Sequence, residues 1–590
     1  MLIQNMNINT IFQRFESSDN VFDYIDVSEA LGQCSDEVKG TEEYNAEIIA
    51  MNLIEAYSSN DDMFNGKFYF GPHLILQDKM TGLPIEFPNR KEITPQIIDY
   101  WESRIHQTAN PYLRARYAGL VWDFKTYVTK LKCSIDIAKQ YIADLIANST
   151  NTHRHSVIRL NQIKRAVDLS VKLNQVDLLN EAKRVLSDLT KSCDDINAKA
   201  IWSAAFSISN DIPNSFSFEE QKQLVADLET RFDFVNAQNE DQKNPWMLMD
   251  IAEMLAIFYN KHSPDKLGDI FSKVEMAFDE VSGIIASMQL EANYHRLHHS
   301  LVKYKLKDQA ERIRIKISKC GSGIKNELSC ITQELSISKA EIDQIVNSTL
   351  CNESVEQTLI NIAIGYIPNK EREKNVLDRL VKKAPLTYLM TRVVYDERGR
   401  TKSVIKGIND DLESHLIMHI ASTMQIGSAF LMLVIDEGIQ RGLLSAESIE
   451  NHIAQSPIFR EEKRVILNRG IEAYFNGDYI VALHLLVPQI EDAIRELADV
   501  NGQCVLQPKK SGDGYQFRVL DDLLRDSRIV DLMPPNMADY FRILYTDSRG
   551  WNLRNDICHG IAMPKNLNRI AADRVLHSLL CLGLFRMQTM

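Results

Sequence analysis

Glycine and proline are scarce in this chain, with 24 and 16 among 590 residues. That excludes folds built on many tight turns over most of its length. Cysteine is scattered: the nine form no C-x-x-C pair and their number is odd, which excludes a disulfide framework and a cysteine-rich zinc site and suits a reducing compartment. No run of about 18 apolar residues stands out. The opening stretch "MLIQNMNINTIFQRFESSDN" has neither the basic start nor the apolar centre of a signal peptide. A cytoplasmic protein without a membrane partner is therefore expected. No G-x-G-x-x-G or G-K-[ST] occurs, and the "GSG" at 321–323 has neither the lysine nor the glycine spacing of a phosphate loop. Nucleotide hydrolysis is not expected, and no cofactor is implied.

What the chain does have is helical periodicity. In "NPYLRARYAGLVWDFKTYV", Leu113, Tyr117, Leu120, Val121 and Phe124 share a face, with Arg114, Arg116 and Lys125 largely off it. Similar segments follow one another across short polar loops, predicting a stacked helical array without a fixed repeat period. Two stretches alternate instead, "KFYFGPHLILQDKMTGLPIEFP" (67–88) around Gly82 and "YLMTRVVYDERGRTKSVIKG" (388–407) around Gly399, and both read as β-hairpins. The expected architecture is mostly α. It comprises an N-terminal helical domain (1–150), a helical array (151–385), a hairpin boundary (386–408) and a C-terminal helical bundle (409–590) closed by the apolar helix "NRIAADRVLHSLLCLGLFRMQ". Pro488 should kink or restart the long helix "DYIVALHLLVPQIEDAIRELADV".

The net charge of −13 argues at first against a nucleic-acid partner. Its distribution softens that. From Asn451 onward 17 basic residues balance 17 acidic ones, and Arg549 to Met590 carries six basic residues against Asp556 and Asp573. That excess surrounds "RNDICHG" (554–560), whose glycine suits the left-handed turn after a helix. With an N-cap at Asp547 or Ser548, His559 falls in the last turn, Asn555 shares its face, and Arg554 lies about 140° round. A histidine that gives and takes protons near neutrality, beside an arginine that stabilises developing charge, is what cleavage of RNA through its 2'-hydroxyl requires. One motif supplies one histidine, and a symmetric dimer would supply the second. The alternative is a helix cap plus a salt bridge from Arg554 to Asp556 or Asp547.

The R-x4-H spacing of Arg554 and His559, with polar Asn555 directly after the arginine and the "FNGDYIVALHLLVPQIEDAIREL" helix upstream, resembles the HEPN superfamily of helical domains. Within it the match is to an uncharacterised bacterial branch with an R-N-x-x-x-H-G signature, over roughly the last 130 to 180 residues. The resemblance implies a four-to-five-helix bundle, a homodimer through the motif helices, and metal-independent ribonuclease activity, often in toxins and antiviral defence. Arg554 and His559 would be the catalytic pair. Glu491 and Arg495 would be accessory residues, although at i and i+4 they also read as a simple helix-surface ion pair.

RNA is thus the expected substrate, and the acidic upstream region is expected to bind a protein trigger or regulator. A non-catalytic helical scaffold, or a module that binds RNA or nucleotide, is the competing class. "YHRLHH" places His295, His298 and His299 near Glu291 at metal-ligand spacing, but a solvated helix face is the plainer reading, and no metal is expected. The basic stretch "KYKLKDQAERIRIKISK" (303–319) likewise reads as a solvated face.

Overall fold

The computed structural model describes residues 7–16, 21–55, 68–77, 84–193, 195, 197–238, 243–329, 337–351, 354–509 and 512–586. The fold is mostly α, about 70% helical, with three small two-stranded antiparallel sheets. The chain forms two compact units, one from Met1–Gly283 with His299–Ala310, the other from Ile284–His298 with Glu311–Met590.

In the first unit, helices Pro95–Gln107, Pro111–Thr129, Ile135–Thr150, Ser156–Lys172 and Val176–Lys191 pack each on the next. Their starts are written locally. Thr94 and Asn110 each cap a helix whose first residue is proline, a position where the missing N–H costs nothing. The predicted stripe Leu113, Tyr117, Leu120, Val121 and Phe124 is buried throughout. Arg116, expected off that face, is also buried. Its Nε donates to the Ala50 carbonyl at 2.6 Å and Nη2 to the Leu53 carbonyl, because the guanidinium closes the end of the Glu42–Asn52 helix. The first hairpin is strands β1 (Leu74–Gln77) and β2 (Pro84–Phe87), and its expected turn at Gly82 lies outside the described residues.

The second unit has one continuous core, from Val346 to Leu582. The second hairpin, β3 (Arg392–Tyr395) with β4 (Thr401–Ile405), turns at Gly399, where φ is +73°. A Cβ there would collide with the Gly321 carbonyl oxygen, and one on Gly321 with the Arg398 carbonyl. The "GSG" is therefore a place where a helix lets a turn pass. A third hairpin, β5 (Leu506–Pro508) with β6 (Tyr515–Phe517), was not anticipated from the sequence. The long helix Tyr479–Val500 runs through Pro488 without restarting.

The closing helix Arg569–Leu582 is buried along nearly all its length, and its polar groups are tied inward. Arg574 donates to Ser428 Oγ at 2.9 Å and to the Met424 carbonyl at 2.8 Å, while His577 meets the Tyr540 hydroxyl at 2.8 Å. Burial, with Arg574 beside it, pushes His577 down to about 3, so it is neutral in the core. The helix Leu412–Gln440 is long and apolar enough to cross a membrane by length and composition, with a mean hydropathy of 1.6 over its most apolar stretch, one third of it buried. Its sequence is not an unbroken apolar run, since His415, His419, Ser422, Thr423, Gln425 and Ser428 interrupt it. Here Leu416, Ile420, Met424, Leu431 and Ile435 pack it into the core that the closing helix shares.

Candidate functional site

The motif helix is Leu553–Cys558, shorter than expected. Its N-cap is Asn552, in the left-handed region at φ +57°, and not Asp547 or Ser548. Asp547 is spent earlier. Its carboxylate takes Arg549 Nε at 2.8 Å and Nη2 at 2.7 Å, which folds 547–551 into a loop, and the Trp551 N–H returns to the Ile543 carbonyl at 2.9 Å. Gly550 permits that return, since a Cβ there would strike the Ile543 carbonyl oxygen. At the other end Gly560, at φ +65°, donates to the Ile557 carbonyl at 3.1 Å, and the Ile561 N–H donates to the Asp556 carbonyl at 2.8 Å. These two bonds make a Schellman motif, with His559 as the C-cap residue.

Leu553 and Ile557 bury the inner face of this helix. Arg554 is thereby turned toward the long helix, where Glu491 is 4% exposed. Arg554 Nε donates to Glu491 Oε2 at 2.6 Å and Nη2 to Oε1 at 3.2 Å, a two-pronged pair that fixes the guanidinium plane. Glu491 Oε1 also accepts from Arg495 Nη2. Burial works against the Arg554 charge, but the Glu491 carboxylate outweighs it and holds the group above its ordinary value. Arg554 Nη1 reaches Asn555 Oδ1 at 3.2 Å, and Asn555 Nδ2 donates to Asn552 Oδ1 at 2.8 Å and to the Thr546 carbonyl at 3.2 Å. Asn552 in turn donates to Asp556 Oδ1 at 2.7 Å.

Four of the five expected residues, Arg554, Asn555, Glu491 and Arg495, thus join one network. The i, i+4 ion pair of Glu491 and Arg495 is present, but Glu491 is buried and shared between two arginines. Arg554 reaches neither Asp556 nor Asp547 as its ion partner. His559 stands outside the network: it is exposed, and among the described residues its ring has no hydrogen-bond or ion-pair partner.

The basic excess around the motif is mostly spent inside the unit. Arg574 is buried, Arg549 pairs with Asp547, Lys565 with Glu397 at 2.6 Å, and Arg569 with Asp436. A groove of about 860 Å³ runs beside the motif helix, lined among others by Asn555, Asp556, Trp551, Tyr395 and Lys402. Asn552 and Trp551 were not singled out from sequence, and Asp556 only as an ion partner for Arg554. The N-x-x-N-D spacing of 552, 555 and 556 is the signal that would have found Asn552.

Of the weaker candidates, Glu291 is buried and accepts the Thr401 hydroxyl at 3.0 Å, with His295 3.8 Å away. No group of three histidine, cysteine or acidic side chains is placed to hold a metal ion among the described residues. No protein-family model matches the chain, and no curated protein or solved structure matches it either.

Proposed function

We propose that the chain is an endoribonuclease with a HEPN-like R-x4-H site, acting as a homodimer that brings two His559 imidazoles to one phosphate. The observation that carries this reading is the division of labour on one short helix, an arginine held rigid by a buried carboxylate and a histidine left open to solvent. Three donor interactions hold Arg554, so two of the guanidinium's five N–H groups remain for phosphate oxygens. One imidazole takes the proton from the 2'-hydroxyl, whose oxygen attacks the adjacent phosphorus. The other gives a proton to the departing 5'-oxygen, and the products are a 2',3'-cyclic phosphate and a 5'-hydroxyl. Arg554 stabilises the charge that builds on the non-bridging oxygens, the task a metal ion performs elsewhere. The groove beside the helix offers room for the flanking nucleotides. A toxin or antiviral effector is the setting that the resemblance implies, while the cysteine usage suits the cytoplasm and the acidic upstream helices suit a protein trigger or regulator.

A binding-only bundle is favoured by one observation, that the Arg554 charge is already matched by Glu491 inside the chain. Purified protein incubated with total RNA in EDTA separates the two. Cleavage that is lost in Arg554→Ala and His559→Ala, and whose specific rate falls on dilution, supports the nuclease. Intact RNA in all three samples supports the bundle.

A further inference from the structure

We infer that the β5–β6 hairpin is a stacking platform for unpaired bases of single-stranded RNA, a reading that rests on the proposed nuclease site and names its substrate class. The register pairs Leu506 with Phe517, Gln507 with Gln516 and Pro508 with Tyr515. Alternation therefore puts Leu506, Pro508, Tyr515 and Phe517 on one face and the two glutamines on the other. In a small hairpin the apolar face ordinarily packs inward. Here it is open: Tyr515 is 70% exposed, Phe517 62% and Leu506 42%.

Direct contacts tie this face to the motif. The Arg495 guanidinium lies over the Phe517 ring, 5.3 Å from its centroid, and the same guanidinium donates to Glu491, which holds Arg554. Arg495 keeps 22% of its side chain in solvent, so its charge borders the open face. Lys509, exposed beside β5, adds a second cation without an ion partner among the described residues.

The size of the face decides between occupants. Two aromatic rings with a leucine and a proline offer a few hundred square ångströms, against roughly 800 Å² per partner in a stable protein interface. Two rings at alternate strand positions, about 7 Å apart, suit flat π-faced groups on a flexible anionic backbone. A base within a duplex is already stacked on both faces and paired along one edge, so the platform selects single strands.

The test uses the full chain carrying His559→Ala, so that RNA survives, and reads binding of a labelled single-stranded 12-nucleotide RNA and of its duplex by fluorescence anisotropy in EDTA. Tyr515→Ala and Phe517→Ala are each expected to weaken single-strand binding at least about fivefold, with Tyr515→Phe and Phe517→Tyr retaining it and Phe517→Leu behaving like alanine. Alanine variants that bind like the parent, a parent that binds no single strand, or equal losses for duplex overturn the inference. So does a shift from dimer to monomer in sedimentation with affinity per chain unchanged, which would make the hairpin a contact between two copies. If the rings govern binding but the His559 protein cuts nothing, the nuclease reading fails alone. If RNA is cut and the ring variants cut and bind normally, this inference fails alone.

Discussion

Glu47 in the first unit and Glu491 in the second are both nearly inaccessible carboxylates that hold an arginine, and their surroundings differ in one respect. Glu47 is sealed. Tyr100 and Tyr117 donate to it at 2.8 and 2.7 Å, Arg104 lies 3.1 Å away, and the Arg104 guanidinium is capped by the Phe12 ring at 4.2 Å. Burial raises the Glu47 pKa despite these partners. Glu491 holds its arginines at a rim: Arg554 and Arg495 keep 19% and 22% of their side chains in solvent, and the helix that carries Arg554 ends on an exposed histidine. The same chemistry pins a core in one place and orients a cation toward solvent in the other. An arginine–carboxylate pair therefore says nothing about function until its open side is known.

Breaking the sealed cluster should cost most. Glu47→Ala strands Arg104 in the core, and unfolding in urea should show a loss of about 3–5 kcal/mol. Glu491→Ala frees two arginines that reach water, so the stability loss is smaller, about 2–3 kcal/mol, whereas RNA cleavage should collapse because Arg554 loses its fixed plane. Equal activity losses in the two variants, measured at a temperature where both are folded, would erase the distinction.

A third buried carboxylate sharpens the comparison through pH. Asp573 is fully buried, accepts the Tyr474 hydroxyl at 2.6 Å, and has a second oxygen without a hydrogen bond among the described residues. Burial pushes its pKa up to about 6, against the pull of Tyr474 and Arg569. The fold therefore binds this proton more tightly than the unfolded chain does between about pH 4 and 6. This group's contribution to stability falls as pH rises through that window and becomes a cost of about 2–3 kcal/mol at neutrality. Asp573→Asn should raise the melting temperature at pH 7 and leave it near the parent's at pH 4. The smallest effect is at the helix end, where Gly560→Ala forces a Cβ into the left-handed region at about 1–2 kcal/mol. Its mark should be a slower cleavage rate from a displaced His559 with only a slight shift in melting.

The periodic segments were legible because burial and helical spacing coincide, as in the Leu113 to Phe124 stripe and the closing helix. Arg116 and Arg574 were not legible as core residues, since their burial depends on distant carbonyls at Ala50 and Met424 that no local pattern announces. At the motif, Gly560 as the helix stop could be read from residue type alone. The start could not, because Asp547 is captured by Arg549 and the cap passes to Asn552 in a left-handed conformation. The bond from Arg554 to Glu491 spans 63 positions, and periodicity could put Glu491 on a helix but not set it beside the motif. The β5–β6 hairpin was missed because its strands are three residues each, too short for alternation to stand out beside "KKSGDG".

We propose that the open side of the Glu491 network is a site for cutting RNA. The most direct measurement is the yield of 2',3'-cyclic phosphate ends from single-stranded RNA in EDTA, for the parent and His559→Ala at matched melting temperature. A fall of about 100-fold to 10,000-fold is expected, with the fold unchanged. Cyclic ends formed equally by both proteins, or by neither, would contradict it.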